Sequence, residues 1–66
     1  MSIGSRIQRA RKGANVSQRD LAKQVGLSAM MISKYENDQS VPDSEMLLRF
    51  SKALKTNLDY FFRPDS

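Results

Sequence analysis

The 66-residue chain contains neither cysteine nor histidine. Without thiols no disulfide can brace so small a domain, and without thiolate or imidazole the ligand sets of zinc sites are missing. The sulfur nucleophile and the commonest general base are absent with them, which disfavours most enzyme classes. Long hydrophobic runs are also lacking. Met30-Met31-Ile32 and Tyr60-Phe61-Phe62 are typical, far short of the roughly 20 residues a membrane helix needs. Acidic residues are scarce in one half only. Residues 1–34 carry seven basic groups (Arg6, Arg9, Arg11, Lys12, Arg19, Lys23, Lys34) against Asp20, a net +6, whereas residues 35–66 carry four against six acids, a net −2. The expectation is one soluble, cytoplasmic domain with no catalytic group, metal or cofactor, whose basic half suits a polyanion or an anionic membrane surface.

What is present is helical spacing. The start of the chain is rich in Ser and Arg and poor in acids, as transit peptides are, but core periodicity already begins at Ile3. Ile3, Ile7, Ala10 and Ala14 form one stripe of a first helix that stops near Asn15, a residue suited to a left-handed cap. Ser17 opens Ser-Gln-Arg-Asp, a near relative of the capping box, and Leu21, Ala22 and Val25 give a second helix its inward face. Gly26 ends that helix with the positive φ of a tight turn, and Ser28 caps a third helix that buries Ile32 and Tyr35. Residues 37–42 read as a loop, Asp43 caps a fourth helix with Leu47, Phe50, Ser51 and Leu54 inward, and Asn57 caps a short fifth over Leu58 and Phe61. The fold class is all-α, five helices in residues 1–62, with residues 63–66 as a tail or the start of a linker.

Two short helices joined by about three residues containing a glycine cross steeply rather than packing antiparallel, which is the helix-turn-helix arrangement. Ala22, small and central in the second helix, permits the close crossing. The stretch from Ser17 to Glu36, with Ser17-Gln18, Leu21-Ala22, Val25-Gly26, Ser28, Ile32 and Glu36 at fixed offsets, Arg11 before it and residues 42–62 after it, resembles the Cro/C1-type (XRE-like) DNA-binding family. The resemblance spans roughly residues 3–62 and implies the lambda-repressor-like fold and a DNA-binding transcriptional regulator.

The roles that follow are implied by that resemblance. Gln18 hydrogen-bonds a DNA phosphate at the positive end of the second helix, and Ser17 caps that helix. Ser28, Ala29, Met30, Ser33 and Lys34 occupy base-facing positions of the recognition helix. Ser28, Ser33 and Lys34 can bond base edges, while Ala29 and Met30 can touch a thymine methyl. Apart from the resemblance, adjacent methionines on a short helix more often fill a core or face a protein partner than read DNA, so Met31 is assigned to partial packing against the first helix. Arg11 and Glu36 match a partly buried salt bridge whose role is structural. Asn37 matches a position facing phosphate; the next residue, customarily glycine, is Asp38, whose carboxylate near the DNA backbone would be repulsive. Tyr60 and Phe62 cannot both be buried on so short a helix, and family members commonly pair through this region. Relatives with similar Tyr-Phe-Phe-Arg-Pro endings are often fused to a second domain, such as a metallopeptidase-like sensor, so a longer parent chain is open.

The sequence thus points to a sequence-specific regulator, a repressor of bacterial or phage type, bound to a double-stranded operator as a homodimer at least on DNA, with no membrane partner. Two other readings stand beside it. One is a helical protein-interaction module that holds a partner through Met30, Met31, Tyr60 and Phe62. The other, weaker, is an interfacial membrane helix formed by residues 3–12. The charge split favours DNA, because a partner groove has no need of +6 opposite it.

Overall fold

Four serine or aspartate side chains start four α-helices. In the computed structural model, which describes residues 2–63, these are α1 (Ile3–Gly13), α2 (Gln18–Val25), α3 (Ala29–Glu36) and α4 (Ser44–Ala53), followed by a 3-10 helix (Leu58–Phe62). Ser2 Oγ accepts the Ser5 N–H at 3.1 Å, Ser17 Oγ that of Asp20 at 3.0 Å, Ser28 Oγ that of Met31 at 3.3 Å, and Asp43 Oδ1 that of Met46 at 2.8 Å. Each bond satisfies a backbone donor that has no partner inside its own helix. The stops are equally local. Asn15 turns the chain out of α1 at φ +58°, and Gly26 turns it out of α2 at φ +76°. The Leu27 N–H then closes on the Ala22 carbonyl at 2.8 Å, the bond that finishes a helix with a left-handed residue.

Each element gives the centre one large side chain: Ile7, Leu21, Ile32, Phe50 and Phe61 are fully buried. Ala22, Val25, Leu47 and Leu54 fill the space between them. α2 packs on both α3 and α4, α1 packs on α3, and the 3-10 helix closes the core against α1 and α4. Ala22 is buried in α2, where its small side chain accommodates α3. Tyr35 is only half-buried and sets its ring edge against Phe50 at 5.9 Å and 76°. Buried Ser51 returns its hydroxyl proton to the Leu48 carbonyl at 2.7 Å, so its polarity is matched within α4.

Two expectations are corrected. The fifth element is a 3-10 helix rather than an α-helix, and Asn57 makes no side-chain cap bond. Five residues offer too few α-type bonds to offset ordering, and the shorter bond from the Tyr60 N–H to the Asn57 carbonyl, 3.0 Å, holds the turn instead. Ala14 is exposed, because α1 ends one residue earlier and its stripe closes at Ala10. Among the described residues no helix is long and apolar enough to cross a membrane. The proposed tail lies mostly outside the described residues, which stop at Arg63.

Candidate nucleic-acid interface

The start of α2 and the end of α3 meet at one buried carboxylate. Glu36 Oε2 accepts Arg11 Nε at 2.6 Å, and its Oε1 accepts both Arg11 Nη2 at 3.1 Å and Gln18 Nε2 at 3.0 Å. Arg11 Nη1 donates to the Val16 carbonyl at 2.9 Å. Both charged residues are buried, Arg11 to 8% and Glu36 to 6% exposure. A two-pronged guanidinium–carboxylate pair is directional as well as strong. It therefore fixes the end of α1, the α1–α2 connection, the first residue of α2 and the last of α3 relative to one another. Gln18 is held at the α2 N-terminus with one amide N–H on Glu36. A carboxamide carries two such hydrogens, so the second is left for another acceptor in front of the helix.

α3 turns the other named residues outward. Ser28, Ala29, Met30, Lys34 and Asn37 are exposed, Ser33 is half-buried, and Met30 keeps 69% of its surface open. Asn37 Nδ2 reaches Ser33 Oγ at 3.4 Å across one helical turn, so these two side chains share a position. Met31 is half-buried beside them. Ser17 and Ser28 each accept one helix-cap hydrogen bond, and each hydroxyl keeps its proton as a donor. The result is a solvent-facing strip of hydroxyl, ammonium and thioether groups bordered by a glutamine at a helix N-terminus.

Asp38 behaves in a way the sequence did not disclose. It sits at φ +60°, the left-handed region that makes glycine customary there and that aspartate tolerates better than most residues. Its Oδ1 accepts the Gly4 N–H at 3.1 Å. The carboxylate thus lies at the positive end of α1, where the helix dipole favours it. Gly4 is its partner in this approach and was likewise missed; a glycine inside a helical stretch was the available signal. At the other end, two guanidiniums approach the Tyr60 ring, Arg6 at 5.1 Å and Arg63 at 5.9 Å from its centre. That covers part of Tyr60 within the chain and leaves Phe62, 55% exposed, as the outward aromatic.

Residues 7–61 match the helix-turn-helix family model. The chain belongs to the Cro/C1-type helix-turn-helix family. Within that family it is 40% identical over 63 residues to repressor protein C2 of Salmonella phage P22, covering 96% of this chain and 29% of that protein. It is 32% identical over 65 residues to the transcriptional regulator ImmR of Bacillus subtilis, covering 98% of this chain and 51% of the relative. The chain therefore spans between about a third and a half of the length of these relatives. A crystal structure of the P22 c2 repressor in complex with a synthetic operator superposes with a TM-score of 0.88 at 38% identity, covering 98% of both chains. The helix-turn-helix and the all-helical frame are thus those of the family.

Proposed function

We propose that this chain is the sequence-specific DNA-binding domain of a transcriptional regulator that represses by occupying a double-stranded operator in the cytoplasm. The observation that carries the reading is the outward strip of α3 set beside Gln18, on a frame that superposes on a repressor described as bound to operator DNA. The basic half supports it, because neutralising phosphates is the main source of affinity for duplex DNA. In this reading Gln18 and Asn37 hold phosphates, Ser17 sets the α2 end that presents Gln18, and Ser28, Ser33 and Lys34 address base edges. Ala29 and Met30 address thymine methyls. Arg11 and Glu36 keep α2 and α3 in register and touch no base. Residues 1–62 form the binding unit, and the greater length of the relatives it matches is in keeping with a second domain in a longer parent chain. Phe62, with Tyr60 beside it, contributes to pairing of two protomers on the DNA.

The test is to incubate the purified chain with a pool of random genomic duplex fragments at moderate salt and sequence the retained fraction. Recovery of one enriched motif with two-fold symmetry supports the reading. Retention without enrichment, or none at low salt, contradicts it and favours a protein-interaction module.

A further inference from the structure

Of the four basic residues in the otherwise acidic second half, three gather on one small surface. Arg49, Lys52 and Lys55 rim a groove along the seam between α2 and α4, formed by two adjoining recesses of about 420 and 510 Å³ that share Gln24 and Ala53. Among the described residues no acid lines either recess. The apolar part of the floor is Ala14, Val16, Ala53 and Leu54, with the carboxamide of Gln24 beside it. Arg49 is paired with Glu45 of its own helix, at 3.1 Å with both side chains largely exposed, a pair of a kind that contributes little. Among the described residues Lys52 and Lys55 pair with no carboxylate. No residue of α3 lines the groove, and neither does Gln18 or Asn37.

We propose that this seam is a docking groove for an acidic peptide segment of a protein partner, one that places an apolar side chain on the Val16–Leu54 floor and its carboxylates on Arg49, Lys52 and Lys55. Charge complementarity selects an anionic occupant, and the floor selects one that also brings hydrocarbon. A nucleic-acid backbone supplies the charge but gains nothing from the apolar part of the floor. An acidic segment with a leucine satisfies both features. Because the groove is separate from the outward strip of α3, docking and DNA binding are compatible on one domain.

The test uses the isotope-labelled 66-residue chain and two blocked synthetic peptides at low salt. One has six glutamates and aspartates around two leucines; the other has serines in place of the leucines. Saturable amide shifts are expected at Gln24, Ala53, Leu54 and Lys55, with the leucine peptide bound about tenfold more tightly than the serine peptide. The Lys52→Gln/Lys55→Gln variant is expected to bind the leucine peptide about fivefold more weakly, while the domain's affinity for its selected duplex changes by less than about threefold. Shifts centred on Gln18 and α3, where an acidic peptide would merely imitate phosphate, overturn the proposal. So do equal affinities for the two peptides, and an absence of saturable shifts at about millimolar peptide. Loss of thermal stability in the lysine variant with no peptide bound by the parent chain would assign the lysines to the α4 C-terminus alone.

Discussion

Gly4 has room for a hydrogen and nothing larger. A Cβ built there would overlap the Tyr35 carbonyl oxygen outright and would lie 2.8 Å from the Glu36 carbonyl and 2.6 Å from Asp38 Oδ1. Two of the three obstacles are backbone, so α1 itself has to move away from the end of α3. Gly4→Ala is therefore expected to lose about 1–3 kcal/mol in urea unfolding, although alanine is the better helix former. A stability equal to the parent's would mean that the close approach is not present in solution. The Arg11–Glu36 pair makes a second residue-scale prediction. Arg11→Ala strands a buried carboxylate and should cost about 3–5 kcal/mol, whereas Arg11→Met with Glu36→Leu should cost markedly less than the two single losses added. A double-mutant cycle in urea measures the difference. The pairing partners Arg11 and Glu36 were legible in the sequence through a family pattern. Gly4 against Asp38 was not, because 34 residues separate them and nothing local announces where two helices meet.

At the scale of elements the sequence was most informative where the physics is local. Ser17, Ser28 and Asp43 as caps, Asn15 and Gly26 as left-handed stops, and the inward faces of α2 and α4 depend on neighbours within one turn. The type of the last helix was not legible, since a five-residue segment carries the same spacing whether its bonds close over three or four residues. Within α3 and α2 the proposed division of labour can be separated by mutation. Gln18→Ala should weaken binding to every duplex alike, because a phosphate contact carries no base information. Lys34→Ala should cost about 1–3 kcal/mol on the selected site and relax preference at one base position if its ammonium reaches guanine. Binding isotherms on a panel of single-base variants distinguish the two patterns. Matching, sequence-independent losses for both variants would place Lys34 on phosphate instead.

For the whole molecule the decisive features are charge and copy number. The +6 half implies binding that salt weakens steeply. With roughly eight phosphates neutralised by two protomers, log affinity should fall against log salt with a slope near −7. A flat response would remove the polyanion reading. Helix-turn-helix monomers read few base pairs, so footprints should come in two half-sites about 10 base pairs apart. One protomer per duplex at saturation would contradict pairing through the Phe62 end. The most direct single measurement compares the affinity for the selected operator with that for a scrambled duplex at one fixed salt. It is made for the parent chain and for Met30→Ala/Ser33→Ala/Lys34→Ala, with circular dichroism confirming that both are folded. If α3 reads the sequence, the variant's ratio collapses towards one while its binding to the scrambled duplex persists. An unchanged ratio would show that the outward strip of α3 does not recognise the operator.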